Sequence, residues 1–166
     1  MSARAIAAAL IALALPALAA CGFTPLYAQP GVAANMRHIQ VVAPQGREGF
    51  LIRQSLDDDF GYDKGDAPTY RLEMEITPSR QAHGVQANAT AQRYELDLKV
   101  SYKLIEIASG KVAHTGIAIS NISYDSADQP YAGIAARQDV QNRLASDAAQ
   151  KIEIQVTAWL ARQPAS

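Results

Sequence analysis

The sequence is poor in the residues that most often build metal sites and disulfides. Its single cysteine, Cys21, cannot form an internal disulfide. Its three histidines, His38, His83 and His114, lie far apart and lack the spacing of metal ligands. The net charge is only −1, so there is no basic field to attract nucleic acid. We therefore expect no metal site and no nucleic-acid partner.

The sequence also lacks the motifs of common active sites. It contains no GxSxG nucleophile elbow, no P-loop, no HExxH motif and no glycine-rich dinucleotide turn. The acidic run Asp57–Asp59 could suggest a metal or paired-carboxylate site, but such runs are more often solvated helix ends. The sequence thus predicts a protein that is not an enzyme, with no catalytic residues and no cofactor.

One long apolar run is present, at the start of the chain. After Arg4, the stretch Ala5–Ala20 is uncharged and consists of alanine, leucine and isoleucine with one proline. This pattern is typical of a signal peptide. A membrane-spanning anchor is disfavoured, because a span needs about 20 apolar residues and this run is shorter and broken by Pro16. Residues 1–20 are therefore predicted to be a signal peptide that is removed.

The lone cysteine lies directly after this run. The segment Leu18-Ala19-Ala20-Cys21 resembles the lipobox of bacterial lipoproteins, in which small side chains admit a peptidase and the thiolate takes up lipid. We expect lipid on Cys21, with two or more acyl chains giving a stable anchor. The other interpretation is an ordinary secretory signal that leaves Cys21 as a free thiol. Gly22 follows the cysteine, as in lipoproteins sorted to the outer membrane.

The rest of the chain is predicted to form one domain. Residues 21–36 are rich in proline and glycine and are predicted to be a lipidated tether that becomes ordered near its end. A single α/β domain is expected over residues 37–163, and a C-terminal tail over 164–166. The expected elements are a strand at 37–44, a helix at 47–60, strands at 69–77, 93–104 and 111–124, and a helix from 131 to about 162.

The alternation of apolar and polar residues is strictest in the third of these strands. Its predicted core residues are Tyr94, Leu96, Leu98, Val100, Tyr102 and Leu104. The strands on either side of residues 78–91 can extend into that stretch as a long hairpin arm. Each helix carries one apolar stripe, and the sheet has one apolar and one polar face. The stripes are Ile52, Leu56 and Phe60 in the first helix and Val140, Leu144, Ala148, Ile152, Val156 and Trp159 in the second. The sequence therefore predicts an α+β fold, a two-layer sandwich with two helices packed on one face of a four-stranded mixed sheet.

Basic side chains recur on the polar face of the third strand. Arg93, Lys99 and Lys103 are candidates for contact with the phosphate of a lipid. Acidic residues lie between them, at Glu95 and Asp97, so cross-strand pairing of opposite charges is the other interpretation.

Five segments occur in a characteristic order and spacing. They are Cys21–Tyr27, Ala91–Tyr94, Ser101–Tyr102, Gly110–Val112 and Ser123–Val140. Together they resemble the lipopolysaccharide-assembly lipoprotein (LptE-like) family, in its alphaproteobacterial type. The likeness covers most of the chain after the signal peptide and is strongest at its start and from Ser123 onward.

The resemblance implies a structural role. Members of the family lie at the inner, periplasmic leaflet of the outer membrane, anchored by their N-terminal lipid. They bind inside a large β-barrel (LptD-like) that inserts lipopolysaccharide into the outer leaflet, act as its plug and assembly partner, and some contact lipopolysaccharide. A polar sheet face is compatible with this role, because wide barrels have polar lumens. Two other interpretations stay open: an auxiliary lipoprotein of another envelope transport system, and a small periplasmic hydrolase.

Overall fold

The computed structural model describes residues 31–62, 65, 67–85, 91–125 and 130–163. Its elements in chain order are α1 (Val32–Met36), β1 (Ile39–Val42), α2 (Arg47–Phe60), β2 (Tyr70–Val85), β3 (Ala91–Glu106), β4 (Val112–Asp125) and α3 (Pro130–Leu160). The predicted signal peptide, the lipid site at Cys21, most of the tether and the C-terminal tail lie outside the described residues. The division of the chain into these parts stays a prediction.

The four strands form one mixed sheet in the order β1-β2-β3-β4. Strand β1 pairs with β2 in parallel, starting with Ile39 opposite Tyr70, and the other two pairs are antiparallel. A parallel pair needs a crossover connection, which α2 provides. The predicted fold class is therefore confirmed. The short helix α1 was not predicted; it packs Val32 and Met36 into the core next to α3.

Strands β2 and β3 form one long hairpin. Each has 16 residues, and their pairing runs from Tyr70 opposite Glu106 to Val85 opposite Ala91. At about 3.4 Å per residue, such a strand is roughly 50 Å long. The predicted extension of both strands into a hairpin arm is confirmed.

The core lies between the helices and one face of the sheet. Its buried apolar side chains come from every element and include Ile39 from β1, Leu72 from β2, Leu98, Val100, Tyr102 and Leu104 from β3, Ile52, Leu56 and Phe60 from α2, and Val140, Leu144, Ile152 and Val156 from α3. Burying one such side chain fully stabilises the fold by about 1.5–3 kcal/mol. The predicted core residues of β3 and the stripes of both helices are confirmed, with Tyr94 and Trp159 only partly buried.

Strand β4 differs from a simple apolar/polar alternation. In the middle of β4 the residues that face the helices are small, namely Gly116, Ala118 and Ser120, and the large Ile117 and Ile119 lie on the other side. Helix α3 packs on β4 more extensively than on any other strand, and its buried residues include the small Ala145, Ala148 and Ala149. Because this contact leaves no room for isoleucine, the predicted polar face of the sheet is not wholly polar.

One glycine fixes the position of α2. A Cβ on Gly49 would lie 2.0 Å from the carbonyl oxygen of Pro44, so only a hydrogen fits there. The first turn of α2 therefore rests directly on the segment that leaves β1.

Candidate functional site

The sheet presents one face to the helices and leaves the other uncovered by any described element; we call the second the open face. It consists of Gln40 and Val42 of β1 and of alternate residues of the three long strands: Arg71, Glu73, Glu75, Thr77, Ser79, Gln81 and His83 of β2, Arg93, Glu95, Asp97, Lys99, Ser101 and Lys103 of β3, and Thr115, Ile117, Ile119, Asn121, Ser123 and Asp125 of β4. All three predicted lipid-phosphate residues lie on this face, on β3.

Towards the hairpin tip, the open face is a series of polar pairs. The Arg93 Nε atom lies 2.9 Å from Asp125 Oδ1 across the β3–β4 ladder. On the β2 side, His83 Nε2 is 3.1 Å from Glu95 Oε2, and Ser79 Oγ donates to Asp97 at 3.1 Å. These groups are exposed, so each ion pair contributes at most about 1 kcal/mol. For Arg93, cross-strand pairing is therefore the interpretation that the structure supports.

Nearer the other end of the hairpin, two lysines are available for a ligand. Lys99 and Lys103 are exposed, and neither has an ion-pair partner among the described residues. Glu73 lies opposite Lys103 in register, but its carboxylate is 2.8 Å from Arg71 Nε. At about 3.4 Å per residue, the two lysines are about 14 Å apart along β3, and Arg93 is about 20 Å beyond Lys99.

Lys103 borders a shallow depression in the open face. The depression has a volume of about 530 Å³, and its open-face lining consists of Glu73, Glu75, Ser101, Lys103, Thr115 and Ile117. Ile117 and Ile119 continue it along β4 with exposed fractions of 52% and 61%. The depression thus combines a free ammonium group, carboxylates and an apolar strip.

A second cleft lies on the helix side, where α3 leaves the hairpin arm. Its volume is about 240 Å³, and it is lined by Glu48, Pro78, Ser79, Arg80, Leu96, Asp97, Leu98, Arg137, Gln141 and Leu144. The Arg80 guanidinium lies 3.6 Å from the centroid of the Tyr94 ring, a cation–π contact. Sequence analysis did not find this cleft, because it depends on the register that sets Arg80 opposite Leu96.

A buried polar group supports the depression from the helix side. The Tyr102 hydroxyl donates to Gln155 Oε1 at 2.9 Å and lies 3.4 Å from His114 Nε2. Burial raises the pKa of Tyr102 to about 12. The hydroxyl passes over Gly116, where a Cβ would lie 2.4 Å from it. Tyr102 was predicted as a core residue, but its partners come from β4 and α3 and have no signal in the local sequence.

The hydrolase interpretation requires an accessible nucleophile beside a base. The structure pairs Ser120 with Asp147, but Ser120 is only 1% exposed and its hydroxyl donates to the carboxylate. Among the described residues, no three or more His, Cys, Asp or Glu side chains come together as metal ligands would. None of the described helices is long and apolar enough to cross a membrane. The fold is that of a small α+β domain with one face of its sheet open.

Solved structures share this fold. A protein from Caulobacter crescentus that is described as a lipoprotein is 40% identical, and the match covers 80% of this chain and 98% of that chain with a TM-score of 0.69. Two more distant structures, each 16% identical, show the fold alone. Lipoprotein B from Nitrosomonas europaea has a TM-score of 0.58 and coverage of 75% and 84%. Rare lipoprotein B from Shewanella oneidensis has a TM-score of 0.54 and coverage of 72% and 91%.

The family model for lipopolysaccharide-assembly proteins, LptE, matches residues 36–156. A search of curated proteins gave no match. The chain belongs to the LptE lipopolysaccharide-assembly family, because the matched segment covers most of the domain. The predicted family is thus confirmed. The prediction that the chain is not an enzyme is confirmed as well, since this family is a non-enzymatic assembly component.

Proposed function

We propose that this chain is an outer-membrane lipoprotein subunit of the lipopolysaccharide translocon. In this proposal, lipid on Cys21 holds it in the periplasmic leaflet, and the domain is plug and assembly partner of a large LptD-like β-barrel that inserts lipopolysaccharide into the outer leaflet. The family membership over residues 36–156 supports a role in lipopolysaccharide assembly. The observation that carries the plug role is the open face.

The open face suits the polar interior of a wide barrel. Its charges towards the hairpin tip are already paired, as with Arg93 and Asp125, and a paired charge loses less on leaving water than an unpaired one. Barrel lumens are polar, so the exposed hydroxyls and amides of the face can exchange water for barrel side chains. Ile117 and Ile119 add a narrow apolar contact within this polar surface.

Lipopolysaccharide is proposed to bind at Lys99, Lys103 and Arg93. Phosphates are held by charge-assisted hydrogen bonds from basic side chains. Lys99 and Lys103 have no ion-pair partner among the described residues, so they can bind a phosphate without breaking an existing ion pair. Arg93 must first release Asp125, so its contribution is smaller.

The partner is tested by purifying the lipidated protein from its native membrane. We expect one large barrel protein to co-purify. A photo-crosslinking residue at Thr77, on the open face, is expected to yield the same barrel as a covalent product, and one at Ser146, on the exposed side of α3, to yield less. Failure to recover any barrel protein contradicts the plug role, and recovery of a different transport protein favours the auxiliary-lipoprotein interpretation.

The anchor is tested by Cys21→Ser. The variant is expected to keep the fold, because residue 21 precedes every described element, and to lose lipid and lipoprotein processing. Mass spectrometry of the protein from its native host measures both. An unmodified Cys21 in the unaltered protein would refute lipid attachment at this residue.

The lipopolysaccharide contact is tested by Lys99→Glu combined with Lys103→Glu. We expect binding of purified lipopolysaccharide to weaken by about tenfold or more, since two favourable charges become two repulsive ones. Lys111→Glu combined with Arg143→Glu changes the net charge by the same amount at two exposed positions, in the turn before β4 and on α3, and is expected to bind nearly normally. Equal losses in both variants would indicate a general effect of net charge.

A further inference from the structure

The outer edge of β4 has the composition of a strand that pairs with others. From Val112 to Tyr124 the sequence contains no Asp, Glu, Lys, Arg or Pro. Ile117 and Ile119 are exposed, and no described strand pairs with this edge. Long, uncharged, β-prone edge strands are sites of strand addition unless something covers them.

The opposite edge of the sheet is protected by its own residues. Strand β1 has four residues, and beyond Glu73 the outer side of β2 has no partner among the described strands. The backbone N–H of Tyr70 points to the β1 side, where it donates to His38 O. Because backbone N–H groups alternate in direction along a strand, positions 78 and 80 present their backbone nitrogens to this same side. Pro78 has no N–H to offer there, and Arg80 adds a charge.

Strand β4 is protected differently, by side chains of α3. Lys151 Nζ donates to the backbone oxygen of Ile119 at 2.8 Å, and Gln155 Nε2 donates to that of Ile117 at 3.0 Å. Both carbonyls therefore point away from β3, at the outer edge. Lys151 is held in place by Asp147, 2.5 Å away, and Asp147 also accepts a hydrogen bond from Ser120. Burial alone would raise the pKa of Asp147, but the hydrogen bonds from Lys151 and Ser120 outweigh it and keep that pKa below its usual value.

We infer that Lys151 and Gln155 form a latch that closes the edge of β4 and prevents antiparallel pairing with β4 of a second copy of this chain. A second copy of this chain fits the edge, because β4 can pair with another β4 without bringing like charges together. In a two-fold pair centred on Asn121, Ile119 lies opposite Ser123 and Ile117 opposite Asp125, and no like charges meet. The open latch would free the backbone groups of Ile117 and Ile119 for such a pair.

The test uses the lipidated protein with Asn121→Cys, whose thiol reports β4–β4 pairing directly, since Cys21 is blocked by lipid in the proposed function. Lys151→Met with Gln155→Met removes both donors at similar side-chain volume. We expect at least a tenfold increase in disulfide-linked dimer under mild oxidation, relative to Asn121→Cys alone, in which the latch is intact. Gln150→Met with Lys111→Met is the matched control, because both positions are exposed and lie outside the stretch from Ile117 to Asp125 that would pair.

Two results would overturn the inference. One is a latch variant that circular dichroism shows to be folded but that forms no more dimer than the control variant. The other is an equal amount of dimer in Asn121→Cys alone, where the latch is intact. If the double variant does not fold, Lys151→Met alone decides, because Gln155 and its bond to Tyr102 remain. A folded Lys151→Met protein without additional dimer also overturns the inference. If mass spectrometry finds Cys21 unmodified, the proposed anchor fails, and the same test is made with Cys21→Ser.

Discussion

The two faces of the sheet are made from alternate residues of the same strands, yet they differ in their exposure to water. On β3, Leu104 is fully buried under the helices, and the preceding residue, Lys103, is exposed on the open face. The covered face nevertheless includes polar groups, such as the Tyr102 hydroxyl, and the open face includes isoleucines. Composition therefore does not separate the faces; the presence of α2 and α3 does. A polar group on the covered face must find a partner, whereas an apolar group on the open face can remain in water.

The largest expected difference between the faces is in the free energy of unfolding. Leu104→Ala removes a fully buried side chain and leaves a cavity, so we expect a loss of about 2–5 kcal/mol. Lys103→Ala, one residue earlier on the open face, is expected to change it by about 0.5 kcal/mol or less. Urea denaturation of both variants measures the difference. Similar losses in the two would mean that the open face is covered in the isolated protein.

Gly116 tests how closely α3 and Tyr102 pack on the covered face. Gly116→Ala places a methyl group where the Tyr102 hydroxyl and Gln155 lie, at 2.4 and 2.6 Å, and is expected to cost about 1–3 kcal/mol. Gly133→Ala is the control: nothing lies within 4 Å of its Cβ, and alanine should stabilise α3 by about 0.5–1 kcal/mol. In thermal denaturation, we expect the melting temperature to fall in Gly116→Ala and to rise in Gly133→Ala. An unchanged melting temperature in Gly116→Ala would show that Tyr102 is free to move.

His114 should make the covered face sensitive to pH. It stacks on Trp159 with ring centroids 5.7 Å apart, and burial together with the nearby charge of Arg162 lowers its pKa. Below about pH 6.5, the unfolded chain therefore binds a proton that the folded chain does not, so the free energy of unfolding falls as the pH drops through this range. The fall between pH 7.5 and 5.5 is expected to be smaller in His114→Gln. An unchanged slope would assign the pH dependence to other groups.

The smallest expected effect is that of a threonine on the open face. Ile119→Thr alters a side chain that is 61% exposed, so we expect a change of about 0.5 kcal/mol or less in the free energy of unfolding. Val100→Thr makes a similar change on the fully buried covered face, where the new hydroxyl lacks water, and is expected to cost about 1–3 kcal/mol. A large loss in Ile119→Thr would show that the isoleucine strip is buried in solution.

Local pattern was enough to predict much of the fold. The alternation from Tyr94 to Leu104 identified the buried side of β3, because side chains of a strand point alternately to its two faces. The spacing of Ile52, Leu56 and Phe60 identified the stripe of α2 in the same way. In β4 the pattern failed, since Gly116, Ala118 and Ser120 are small and partly polar yet face the core. Their burial reflects the close approach of α3, which local sequence does not encode.

The sequence predicted which basic residues belong to the candidate site, but not how their side chains are paired. Arg93, Lys99 and Lys103 were placed on one face correctly, because they share the parity of β3. Which of the three lacks an ion pair could not be predicted. Arg93 and Asp125 are 32 residues apart in the sequence, and their pairing depends on the register of β3 and β4. The position of Cys21 stays a prediction from the lipobox pattern.

The sequence alone was enough for every element except α1, for the buried side of most of them and for the family, since these depend on periodicity and on motifs in order along the chain. Only the tertiary structure decided which charges pair, where the depression lies on the open face and how the edge of β4 is closed. Lys151 and Gln155 look like ordinary surface residues of a helix, and their role appears only because α3 packs beside β4. Contacts between distant segments are set by packing, and packing is a property of the whole fold.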